Sequence, residues 1–119
     1  MAFMFENLSV YKKALELAEN IYVLNKKIDD REIKDQIKRA ALSIPLNIAE
    51  GNGRNTAKEK AQFYKIARGS LFECVPLLEI CLRLSRISKS EHDRFYALSE
   101  EIGKMLNGLI KSVENKSIN

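Results

Sequence analysis

Apolar residues recur along this chain in alternating steps of four and three, the spacing of a helix that buries one stripe. Val10, Ala14, Leu17, Ile21, Leu24 and Ile28 form the first such line and predict a helix over about 9–27. Asp29 and Asp30 follow with side-chain oxygens suited to an N-cap. Ile33, Ile37, Ala40, Ala41, Ile44 and Ile48 then mark a second helix over 31–50, ended by Gly51 and Gly53. Asn52-Gly53 signals a hairpin only between strands, and neither flank alternates. Thr56-Ala57-Lys58-Glu59 has the form of a capping box and opens a third helix over 57–86, lined by Phe63, Ala67, Ser70, Cys74, Leu77, Cys81 and Leu84. Ser88-Lys89-Ser90-Glu91 repeats the box ahead of a fourth helix over 89–114, lined by Phe95, Leu98, Ile102, Met105, Leu109 and Val113. Four helices of similar length joined by short links predict an all-α fold: an antiparallel up-down-up-down four-helix bundle, one domain spanning 1–119. Pro45 and Pro76 fall inside the second and third helices, where each removes a backbone hydrogen bond and bends the axis.

Not all apolar residues fit these lines. On a wheel of about 100° per residue, Leu42, Leu46 and Ala49 point away from the core face of the second helix. Phe72 and Val75 do the same on the third, between Lys65 and Arg68 on one side and Glu79 and Arg83 on the other. A lone bundle leaves these side chains in water. Burying Leu42, Leu46 and Phe72 contributes about 1.5–3 kcal/mol each before association costs, which predicts an oligomer interface.

Charge narrows the partner class. Residues 54–68 hold five basic groups (Arg54, Lys58, Lys60, Lys65, Arg68) and one acid, Glu59, a balance of +4. The other fifteen basic and fifteen acidic residues, from totals of 20 and 16, cancel. The whole excess therefore lies in one short stretch, the footprint expected of a phosphate-binding surface, although an ordinary solvated face has the same composition. No aromatic interleaves with these charges as in a base-stacking platform, so binding to RNA or DNA through them is expected to be weakly sequence-selective.

Groups able to do chemistry are few. His92 is the sole histidine and is expected on the surface in the first turn of the fourth helix. Lys89 stands three residues before it, where a bundle di-metal site needs Glu. Cys74 and Cys81, seven apart on one helix, are about 10 Å apart and beyond disulfide reach, so they are read as reduced core thiols. Gly51-Asn52-Gly53 lacks both the preceding strand and the third glycine of a phosphate loop. Arg39, Asn47, Glu50, Ser70 and Glu73 lie on or beside the apolar lines and are expected to form one buried polar network that fixes helix register or subunit pairing. These features predict a non-enzyme without metal or cofactor. No apolar run approaches the length of a membrane span and the first residues lack a secretion pattern, so a cytoplasmic location is expected.

The segments QIKRAALSIPLNIAEGNGR (residues 36–54) and FYKIARGSLFE (residues 63–73), together with FENLSVYKKALELAENIY near the start, resemble the four-helix-bundle family encoded in intervening sequences of bacterial 23S ribosomal RNA genes. The resemblance covers nearly the whole chain and extends to the accessory variability determinant of diversity-generating retroelements. It implies an all-helical protomer assembling as a homopentamer, without enzymatic activity, and in the retroelement relative a basic surface that accompanies binding to nucleic acid and a reverse transcriptase. Arg39, Asn47, Glu50, Gly51 and Arg54 fall in the first motif, and Gly69, Ser70 and Glu73 in the second. Cys74-Val75-Pro76 departs from the family's unbroken helix.

Two functions follow as expectations. One is a non-catalytic oligomer that binds RNA or other nucleic acid through Arg54, Lys58, Lys60, Lys65 and Arg68. The other is a protein–protein scaffold or accessory subunit for a nucleic-acid-processing enzyme, touching no nucleic acid itself. A small-molecule site is expected least, because the core lines are filled with apolar side chains.

Overall fold

The computed structural model describes residues 3–118, with side chains described through residue 115. Helix α1 spans Ser9–Asn25, α2 Arg31–Asn52, α3 Ala57–Arg83 and α4 Lys89–Ile118, and a 3-10 turn at Met4–Asn7 precedes them. No described residue is in a strand. The all-α four-helix bundle read from periodicity is the fold. Helices adjacent in sequence are adjacent in space, and α1 also meets α4. Opposed sequence directions are visible at the contacts: Lys65 reaches Glu114, Arg68 reaches Asn107, and Leu71 lies beside Gly103.

The local signals act as their chemistry dictates. Asp30 accepts the Ile33 amide at 3.0 Å, and Thr56 Oγ1 accepts that of Glu59 at 3.1 Å. The box at α4 is reciprocal: Ser88 Oγ accepts from Glu91 N at 3.1 Å while Ser88 N donates to Glu91 Oε1 at 2.9 Å. The end of α3 comes at Arg83 rather than near Arg86. Arg86 N donates to Cys81 O and Ser85 N to Leu82 O, closing a Schellman turn with Ser85 at φ 58°. Both proline-containing helices remain continuous: Pro45 lies within α2 and Pro76 within α3.

The core joins all four helices, and every residue of the first predicted line is buried. The third and fourth lines hold at Ala67, Cys74, Cys81, Phe95, Ile102 and Val113, which are buried, and shift by one residue at most of the other positions. In α3, Tyr64, Leu71 and Leu78 are buried as well, while Phe63, Ser70 and Leu77 are half-buried and Leu84 is exposed. In α4, Ser99, Leu106 and Ile110 are buried where Leu98, Met105 and Leu109 were expected, and those three are half-buried. Both helices carry apolar residues at neighbouring positions, so the stripe is wider than one line, and contact with two flanking helices selects its centre. A satellite cluster of Ala61, Tyr64, Ile110 and Val113 packs the start of α3 onto the far part of α4.

Gly51 does not end α2. It lies inside the helix, and a Cβ there would stand 2.8 Å from Tyr64 Cε1 and 3.0 Å from Phe63 Cβ. The glycine is the notch that admits the Tyr64 ring. Gly53, at φ −82°, also shows no left-handed cap.

Candidate interaction surfaces

The basic stretch divides into two groups with different work. At the α2–α3 corner the Arg54 guanidinium bonds Glu50, reaches Glu59 at 4.0 Å and lies 4.5 Å above the Phe63 ring. Lys60 Nζ donates to Asn52 O at 2.6 Å. These two cations of the expected nucleic-acid set tie the corner together. Burial raises the Tyr64 phenol above its ordinary pKa, against a smaller opposite effect from the Asn52 side chain.

The second group faces outward along α3. Lys65 pairs with Glu114 at 2.9 Å and Arg68 Nη1 donates to Asn107 Oδ1 at 2.9 Å; Lys58 makes no ion pair among the described residues. Lys58, Gln62, Lys65 and Glu114 line a shallow groove between α3 and α4. Both partners of the Lys65–Glu114 pair are nearly half exposed, and such a pair is worth about 0–1 kcal/mol. The Lys65–Glu114 pair can therefore open at little cost, whereas displacing Arg54 would dismantle the corner.

Of the apolar residues expected at an interface, Leu46 is 66% exposed and Phe72 61% exposed, while Leu42, Ala49 and Val75 are half-buried. The stripe and the patch occupy different faces. Leu46 lies on α2, whereas Phe72 and Val75 border a groove between α3 and α4 together with Pro76, Tyr96 and Gly103.

The polar residues do not form one buried network. Ser43 is the hub that periodicity missed: Asn47 Nδ2 donates to its carbonyl at 2.8 Å and its hydroxyl at 2.9 Å, and Ser70 Oγ bonds Ser43 Oγ at 2.7 Å across α2–α3. Glu50 is drawn to Arg54 instead. Arg39 and Glu73 are exposed and line a groove above the two serines. Long charged side chains keep their heads in water unless a partner offsets desolvation, and a serine pair offers no charge. The i, i+4 spacing of Ser43 and Asn47 was the available signal for the hub.

His92 is also placed differently from the expectation. It is 8% exposed, with Nε2 3.6 Å from Glu79 Oε2 on α3. Both cysteines are free and buried; burial, with the Glu73 charge adding to it, pushes the Cys74 thiol up to about 12. Among the described residues no three His, Cys, Asp or Glu side chains are grouped to hold a metal ion, and no helix is long and apolar enough to cross a membrane.

No curated protein matches this chain. A solved structure from Bacteroides thetaiotaomicron, described as a protein with unknown function from the S23 ribosomal protein family, is similar at a TM-score of 0.80 and 28% identity, over 86% of this chain and 98% of that one. The family described as 23S rRNA-intervening sequence protein matches residues 6–108, which takes in α1, α2, α3, the Gly51 notch and most of α4. The chain therefore belongs to the 23S rRNA-intervening sequence protein family.

Proposed function

We propose that this chain is a non-catalytic bundle that assembles with copies of itself and binds RNA or other nucleic acid with low sequence selectivity. The observation that carries the reading is the exposure of Leu46 and Phe72, two large apolar side chains on the faces that the core leaves unused, each about two-thirds in water. Because they lie on different faces, the contact in this reading is head-to-tail, the α2 stripe of one copy against the α3–α4 face of the next, the type of contact from which rings are built when the rotation between copies closes. The number five comes from the resemblance. Repeating Lys58, Lys65 and Arg68 in every copy multiplies a modest charge into a continuous phosphate-binding band.

A second reading has its own support. Most of the basic stretch already has intramolecular partners, which favours a scaffold that presents its surface to a nucleic-acid-processing protein. Replacing Lys58, Lys65 and Arg68 together by Gln and measuring RNA affinity across a salt series separates the two. The first reading expects lower affinity and a salt slope reduced by about two to three charges. Unchanged affinity and slope reject direct RNA binding. Copurification of a protein partner after nuclease treatment then supports the scaffold.

A further inference from the structure

The groove beside Phe72 has a floor that neither self-association nor RNA binding uses. Ser99 is 3% exposed and His92 8% exposed, yet Ser99 Oγ and His92 Nδ1 have no hydrogen-bond partner among the described residues. Unpaired buried polar atoms cost about 1–3 kcal/mol each and are uncommon in folded proteins. These two share one locality. Ser99 lines both the open α3–α4 groove, of about 390 Å³, and a closed crevice behind it that His92 also lines, with the Tyr96 and Val75 side chains bordering both spaces.

The chemistry of the walls restricts what fits. Phe72 and Tyr96, 61% and 51% exposed, form apolar lips, and Gly103 adds no side chain on the α4 side. Glu100 and Lys104 at the rim are of opposite charge, which favours a neutral guest. Glu79 facing Nε2 favours the tautomer with its proton there, leaving Nδ1 an acceptor, and a serine hydroxyl both donates and accepts. A guest hydroxyl in the open groove can pair with Ser99, while the crevice on the His92 side is too tight to admit it. The volume is at the small end of the roughly 300–1,000 Å³ range of small-molecule sites.

We propose that the α3–α4 groove is a binding site for a small neutral molecule that joins an aromatic ring to a hydroxyl group, the ring lying between Phe72 and Tyr96 and the hydroxyl reaching Ser99, with His92 lining the crevice behind it. Phe72 and Val75 also belong to the face assigned above to a sister copy, so the guest would sit beneath that contact.

Titration of the full chain with p-cresol and with toluene tests this, read by the imidazole nitrogen signals of the single histidine, with light scattering on the same samples to follow assembly. The expected result is saturable p-cresol binding about fivefold tighter than toluene, a shift of the His92 signals with p-cresol only, and loss of that preference in Ser99→Ala. Removing an unpaired hydroxyl leaves the fold intact, and Tyr96→Ala, at an exposed position, is a second variant expected to weaken p-cresol binding. Toluene binding as tightly as p-cresol, a preference that survives Ser99→Ala, or no saturable binding overturns the proposal, whatever the assembly state.

Discussion

Single residues fix this bundle most visibly where backbone and side chain compete for the same space. Gly51 gives way to the Tyr64 ring, so Gly51→Ala forces apart α2 and α3 at their shared corner. The expected loss is about 1–3 kcal/mol by urea denaturation, and an unchanged midpoint would show that the ring shifts freely. Ser85 is the opposite case. It holds a left-handed conformation at φ 58° that a residue with a Cβ adopts at a cost, so Ser85→Gly is expected to raise stability by about 0.5–1 kcal/mol in the same assay. Neither effect was legible in the sequence. Gly51 followed by Gly53 reads as punctuation because a notch and a helix end use the same residue, and only the partner helix distinguishes them. Ser85 carries no turn signature, since the Schellman bonds are made by its backbone and not by its side chain.

At the level of helices, caps were the most readable features: Asp30, Thr56 and Ser88 each act within three residues of themselves. The one-residue shifts along α3 and α4 were not readable, because Phe63 and Tyr64, or Leu77 and Leu78, are equally apolar neighbours and the choice between them belongs to the packing of flanking helices. The same dependence on distant elements explains why Glu91 has a role beyond its capping box. Lys27, in the turn just after α1, bonds its carboxylate at 2.8 Å, and with the Ser88 amide holds its pKa down to about 2. The folded value lies below the ordinary 4.5, so the stabilisation is present above about pH 4.5 and is lost as pH falls through about 2. Wild type is therefore expected to exceed Glu91→Gln in stability at neutral pH, with the gap closing across that acid range in paired urea titrations. A gap independent of pH would remove the charge from the account.

For the molecule as a whole, the candidate surfaces were legible in part. A wheel drawn from the sequence isolates Leu46 and Phe72 as unused apolar residues, and both are exposed. It assigns no fate to the basic stretch, because Arg54 and Lys60 differ from Lys58 only in what the α2–α3 corner brings to them. The polar network failed for a related reason: Ser43, marked in the sequence only by its spacing from Asn47, is what connects Asn47 to Ser70. Assembly gives the test at this scale. Leu46→Asp puts a charge at the centre of the proposed contact while leaving the core untouched, so light scattering is expected to report a smaller particle with unchanged helicity. An unaltered mass would place the contact elsewhere.

Separate faces for stripe and groove give such an assembly a polarity, like a chain of couplings with a hook at one end and an eye at the other. A protomer crippled at Leu46 keeps its eye, and one crippled at Phe72 keeps its hook. Mixed in equal amounts, the two mutants are expected to act as each other's chain stoppers: a single sound joint between them, with growth ending at a pair.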